Sequence, residues 1–411
     1  MAQHPDLGYF DEGADLTDAG LYQSARRPFG QASLLPALTF RSKVFSDLED
    51  EKIWSRGWVA IGVLPDIPEA GDLLPFTVGN HGIHVQRNDD GGLTGRFNKA
   101  QHGGCRAVPL QCQTGSKTKC SFTSCGFSRD RDVIPAGDLA DGAPAMHQYL
   151  GLVPERLLPV KIETFGPLIF ANLDPGSDSL RHTLGDLPRR IGDPLGSANA
   201  LCGKSWLDIR ANWKLAGTDL FESHSPMSST VPAQAMSFDG DRNGPYVLET
   251  FPLNNGRVSH ARNFDLPALP GFSSDHEGQA VFCRAFPNLL LALLPSHVVS
   301  IIVQPLSMTE TRLRISLLAG EAHARDAAAE ARRLHDSWNA AIQCNAARIE
   351  SLQDFVGTWG TASRPESEGA TLPVEVYPER YEFQQFLIGR ILEKHMHYWN
   401  APLYGRVSSA V

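Results

Sequence analysis

The sequence predicts an α+β fold: a small antiparallel β domain, then a larger domain in which an antiparallel sheet wraps on a long helix. Three observations carry this reading. Between Trp58 and Asn98, short β-rich runs are separated by turn signals at Pro65-Asp66, Ala70-Gly71, Asn80-His81-Gly82 and Asp89-Asp90-Gly91-Gly92, which is the spacing of strands in a small barrel or sandwich. Ser300–Leu306 and Arg312–Gly320 read as strands of a second sheet. Glu321–Gly357 is Ala-rich, apolar at recurring positions and free of Pro and Gly before its last residue, which predicts a long helix.

The remaining elements follow in order. Residues 1–44, with Pro28 and Pro36, read as an N-terminal arm running over the surface. Phe45, Leu48, Ile53 and Trp54 stand at helical spacing behind a Ser46 or Asp47 cap, and the chain turns at Gly57 into an extended run. A strand within Lys161–Pro175 closes a β domain spanning 45–175. The second domain, 176–411, opens with helical stretches at Leu180–Ile191 and Asn212–His224 and ends with an amphipathic helix in Tyr381–Trp399.

Composition narrows the function classes. A chain of 411 residues with 42% hydrophobic and 20% charged residues can bury a large core. The net charge of -9, with Lys and Arg scattered, argues against nucleic acid as a partner. No apolar run approaches the roughly 20 residues that span a bilayer, and the first residues lack a basic start and apolar core. A cytoplasmic protein without a membrane partner is the expectation. Four of the seven cysteines, Cys105, Cys112, Cys120 and Cys125, cluster within 21 residues, which suits metal binding in a reducing compartment better than a disulfide framework.

Several motifs occur in a telling order: IWSRGWVAIG, GRFNKAQHGG, CSFTSCGF, GPLIFANLD, RANWKLAGTDLFESH, FPNLLLALLP and IESLQDFVG. This series resembles the α subunit of the Rieske non-haem iron ring-hydroxylating oxygenases, from about Phe45 to Trp399. The resemblance implies a Rieske-like β domain and a helix-grip catalytic-like domain. It also implies a [2Fe-2S] cluster held by Cys-x-His and Cys-x-x-His, with the two imidazoles raising its potential. Against that pattern Ala100 stands where the first Cys belongs, before Gln101 and His102, and Thr123 stands where the second His belongs, three after Cys120. Cys125 takes that place if two extra residues are allowed.

The thiols leave several readings open. Cys105, Cys112, Cys120 and Cys125, with His102, could surround one zinc ion or an atypical iron-sulfur cluster in place of the standard one. They could equally be reduced, partly buried cysteines, or Cys105 could pair with Cys120 or Cys125.

The family's second centre is a mononuclear iron on two His and a carboxylate. Its motif begins at Asn212-Trp213-Lys214. Asp219 then replaces an asparagine, and Glu222 fits the acidic residue that relays electrons between neighbouring subunits. Ser225 and Ser229 or Thr230 stand at the His positions, with His224 one place early, and Asn345 stands where the carboxylate belongs, five before Glu350 and eight before Gln353. These departures make standard cluster and iron chemistry unexpected. They point to a non-catalytic or structural partner subunit in a trimer-like ring with an active oxygenase paralogue. The alternatives are an atypical oxidoreductase using the Cys-rich site, an aromatic-ring or small-molecule monooxygenase of the family type, and a protein holding an apolar small-molecule ligand.

Overall fold

A computed structural model of the chain describes residues 8–97, 159–220, 244–252, 268–271, 279–321, 328–359 and 376–394. It opens with a hairpin of β1 (Phe10–Asp11) and β2 (Ala14–Asp15), followed by two short 3-10 turns. This segment does more than run over the surface. Tyr9, Leu16, Tyr22, Leu34, Leu35 and Phe40 are buried and join the main core.

The first α-helix, α1 (Lys43–Glu49), starts earlier than the periodicity suggests. Ser42 is its cap, accepting from Phe45 N at 3.0 Å, and Ser46 already lies inside the first turn. Starting there turns Phe45 and Leu48 inward. The helix widens into a π turn at Asp50–Trp54.

The first six-stranded sheet consists of β3 (Val59–Val63), β4 (Leu73–Val78), β5 (His81–Arg87), β6 (Leu93–Phe97), β7 (Pro159–Phe165) and β8 (Leu168–Asn172). All its pairings are antiparallel, in the order β3-β8-β7-β6-β5-β4. The register of β3 on β8 slips between Ala60 and Gly62, a bulge that bends the edge strand.

The expected helix after Leu180 is two. Gly185 at φ 60 ends α2 (Leu180–Leu184), and Pro188 opens α3 (Leu187–Ser197), because only glycine takes that backbone without strain. The second sheet begins with β9 (Ala200–Ile209), followed by α4 (Trp213–Asp219). It continues with β10 (Tyr246–Pro252), β11 (Gln279–Ala285), β12 (Leu289–Leu294), β13 (His297–Pro305) and β14 (Thr311–Ala319). Its order is β10-β11-β12-β13-β14-β9, antiparallel throughout. β12 is buried at every residue, so the run 289–294 is sheet interior.

Two helices close this layer, α5 (Ala328–Thr358) and α6 (Pro378–Leu392). Leu334, Trp338, Ile342, Ile349 and Val356 form the inward stripe of α5. Gly203 lets α5 lie close on β9, since a Cβ there would stand 2.5 Å from the His335 ring. The two sheets are clasped by Asn288. Its Oδ1 accepts from Ala60 N and its Nδ2 donates to Ala60 O, both at 2.9 Å. Lys204 adds an ion pair to Asp66 at 2.5 Å.

Candidate functional site

The best-defined constellation gathers around α4. Asn212 caps this helix, its Oδ1 accepting from Lys214 N at 3.1 Å. The same residue donates its backbone N–H to Gln353 of α5 at 2.9 Å and its Nδ2 to Met308 O at 2.7 Å. One residue thus fixes the start of α4 against α5 and the β13–β14 turn. Two residues before the cap, Arg210 is held by Glu350, its backbone N–H donating at 2.8 Å and its Nη2 at 3.2 Å. That backbone bond, helped by the guanidinium, keeps the Glu350 carboxyl below the usual range.

Trp213 packs edge-on to Trp54, with ring centroids 4.7 Å apart, and to Phe383 at 5.7 Å. Its Nε1 donates to Glu49 Oε2 at 3.1 Å. Lys214 Nζ reaches the other oxygen of Glu49 at 2.6 Å, with both side chains buried and the Phe40 and Phe45 rings 5.2 and 5.1 Å away. Burial pushes the Glu49 carboxyl up and the Lys214 ammonium down, each opposed by its partner.

At the far end of α4, Asp219 is buried. Its Oδ1 accepts from Arg380 Nη2 at 2.6 Å, Arg380 Nε at 3.1 Å and Thr218 Oγ1 at 2.7 Å, while its Oδ2 is buried without a hydrogen-bond partner among the described residues. Its carbonyl accepts from Arg348 Nη2 of α5 at 3.1 Å. Arg284 on β11, itself buried and paired with Glu249 at 2.8 Å, senses both Asp219 and Glu379 electrostatically. Asp219, a weak catalytic candidate in the sequence, thus fixes α4 to α6 through Arg380.

Asn345 lies on the inward face of α5, and its Nδ2 donates to Leu220 O at 2.7 Å. Its amide nitrogen is committed to a backbone carbonyl that a carboxylate could only repel. Glu222, His224, His102, Cys105, Cys112, Cys120 and Cys125 lie outside the described residues, as do Ala100, Thr123, Ser225 and Thr230. Among the described residues no group of three or more His, Cys, Asp or Glu could hold a metal ion. Sequence reasoning missed Glu49, Arg284 and Arg380. A lone charge in an otherwise apolar run, as in Val281–Phe286, is the signal that could have found Arg284.

Residues 202–354 match the family model described as the ring hydroxylating alpha subunit, catalytic domain. The chain resembles a ring-hydroxylating oxygenase α subunit. Among curated relatives, the α subunit of N,N-dimethyl phenylurea N-demethylase from Sphingobium sp. (strain YBL2) is 27% identical over 52% of this chain and 45% of its own length. Choline monooxygenase from Spinacia oleracea is 22% identical over 68% of this chain and 62% of its own. The matches to these two thus span about half of one and under two thirds of the other. The naphthalene 1,2-dioxygenase of Rhodococcus sp. bound to indole superposes with a TM-score of 0.61 at 18% identity, covering 92% of this chain and 99% of that one. A quaternary ammonium Rieske monooxygenase gives 0.61 at 14%, over 87% and 95%. These likenesses show the fold, with its Rieske-like sheet and its catalytic-like sheet and long helix.

They also correct the cofactor expectation. Zinc or an atypical iron-sulfur cluster on Cys105, Cys112, Cys120, Cys125 and His102 has no support, because the similarity runs throughout to Rieske oxygenases, whose pair is a [2Fe-2S] cluster and a mononuclear iron. Irregularly spaced thiols alone do not select zinc. The same finding contradicts the expectation against the standard [2Fe-2S] cluster and mononuclear iron as cofactors, since the family homologues use both.

Proposed function

We propose that the chain is an oxygenase α-subunit homologue altered at ligand positions. On this reading it serves as a structural or regulatory partner subunit in a hetero-oligomeric oxygenase, within a trimer-like ring, and an active paralogue carries turnover. The observation that carries this reading is Asn345. Its amide ties α5 to the end of α4 through Leu220 O, so the carboxylate position acts as a helix clasp. Asp219, bound to Arg380, supports the same reading, because helix contacts occupy the carboxylate nearest to the altered motif.

A second reading is a family-type monooxygenase of a small molecule, working on its own. It is favoured by the intact frame of Asn212, Trp213 and Gln353 and by relatives that include a phenylurea N-demethylase and choline monooxygenases. One experiment separates the two. The chain is expressed anaerobically, alone and with neighbouring oxygenase genes, and its iron, acid-labile sulfide, assembly and turnover are measured. Co-purification with an active paralogue, and no turnover alone, is the expected outcome. A solitary homo-oligomer with turnover of its own would overturn the proposal in favour of the second reading.

A further inference from the structure

One buried cation is set apart from the others. Among the described residues five Lys or Arg side chains are buried, and four of them are ion-paired to a carboxylate, as Lys214 is to Glu49 and Arg284 to Glu249. The fifth is Arg314 on β14, 5% exposed and without an ion pair among the described residues. Its Nε donates to Gln304 Oε1 at 3.0 Å, while its Nη2 is buried with no hydrogen-bond partner among the described residues. The carboxylates nearby are already taken. Asp66 pairs with Lys204 at 2.5 Å, and Asp208 accepts from both Nε and Nη2 of Arg312 at 2.7 Å. Three cations therefore share two carboxylates, and Arg314 is the one left over.

Two aromatic rings face this guanidinium, Phe76 of β4 at 4.5 Å and Trp206 of β9 at 5.6 Å to the ring centroids. Such contacts offset only part of what it costs to take a guanidinium out of water. Burial, with the Arg312 charge helping, accordingly pulls its pKa down to about 10 against the attraction of Asp66. The covering side is a single side chain. Gly203 and Ser205 of β9 turn toward α5, Ser205 Oγ donating to Asn339 Oδ1 at 2.6 Å, so Trp206 and its ladder partner Arg314 stand on the opposite face. β9 is an edge strand of the second sheet, and Trp206 is 39% exposed there. The indole thus covers the guanidinium at the sheet edge. With Nε held by Gln304 and its plane set against Phe76, Arg314 keeps its two-nitrogen outer edge for a ligand, and that spacing matches the two oxygens of a carboxylate.

We propose that Arg314 anchors a binding site for a small-molecule carboxylate, with Trp206 as its gate. The indole swings outward from the sheet edge, and the carboxylate takes the Nη groups of Arg314 end-on. One carboxylate supplies the single charge that the cluster lacks. The site lies on the face of the second sheet away from α5, and it stands whichever reading of the function holds.

The test uses the full chain, with sodium acetate as the probe and sodium chloride of equal ionic strength as the control. The melting temperature of the parent rises saturably with acetate beyond the chloride control, because a ligand that binds only the folded state stabilises it. Trp206→Ala keeps that rise and reaches its midpoint at several-fold lower acetate. Arg314→Met loses the acetate response and melts in chloride at or above the parent, since it removes a charge left without a counter-ion. Arg314→Lys keeps the charge but not the fork, and its acetate midpoint rises at least about tenfold. Equal effects of acetate and chloride on the parent would overturn the site, because screening alone would then account for both. An acetate response that survives in Arg314→Met would overturn it too. If acetate has no effect and Arg314→Met breaks association with a co-expressed oxygenase subunit, the carboxylate belongs to a partner side chain and the small-molecule site is overturned.

Discussion

Asn345 differs from the aspartate of the family motif by one terminal group, yet at 2% exposure that group decides what the side chain can touch. Its donor meets Leu220 O at 2.7 Å, and a carboxylate there would present oxygen to oxygen. Asn345→Asp is expected to cost about 1–3 kcal/mol, since it loses a buried hydrogen bond and adds a buried charge. Urea denaturation of the variant checks this, and unchanged stability would mean the clasp carries no weight.

His297 is a second residue whose setting fixes its state. Trp338 Nε1 donates to its Nε2 at 3.1 Å, so the ring proton sits on Nδ1, 2.9 Å from Ser296 Oγ. Burial pulls its pKa down to about 3, and that of the equally enclosed His84 down to about 4, with the Arg96 charge helping at His84. The unfolded chain takes up these protons near pH 6.5 and the folded chain does not. Stability therefore falls as pH drops below about 6.5, by at most about 1.4 kcal/mol per pH unit for His297. Denaturation midpoints at pH 7 and pH 5 should show that slope, and His297→Gln should reduce it.

Among the elements, α4 is short and owes its place to others. Glu49 of α1 grips it through Trp213 and Lys214, and Arg380 of α6 grips its last residue. Removing one partner of a buried pair leaves the other uncompensated, so Lys214→Met should cost about 3–5 kcal/mol, while adding Glu49→Leu should recover most of it. A double-mutant cycle in guanidinium measures the coupling; additive losses would show that the two groups act independently.

What was legible at this scale followed the range of the signal. Strands and the long helix announce themselves through local periodicity, and Asn345 is located because it sits five places before Glu350 and eight before Gln353, which resemble the family's motif. The pair Arg380–Asp219 spans 161 residues, and Lys214–Glu49 spans 165. Neither has a local pattern to betray it. The cap of α1 was misplaced because Ser42, Ser46 and Asp47 are all competent caps, and only the burial of Phe45 chooses among them.

For the whole molecule, the two sheets share one apolar core, and specific polar contacts join them among the described residues. Lys204 and Asp66 are one, and Gln304 Nε2 reaches Thr77 O at 3.4 Å nearby. The Asn288 amide supplies the most exacting one. Asn288→Asp keeps the acceptor for Ala60 N but turns the donor to Ala60 O into an oxygen. We expect a loss of about 1–3 kcal/mol and a calorimetric trace in which the two sheets melt apart. A single unshifted transition would show that the join is carried elsewhere.

That amide has a consequence for recombination. β3 is an edge strand, and the peptide group it turns outward at Ala60 finds its ladder partner in a side chain borrowed from 228 residues downstream. The halves are not interchangeable cassettes. A chimera that grafts a foreign second half onto this β-sheet inherits a vacant rung unless the graft brings an asparagine to the position of Asn288.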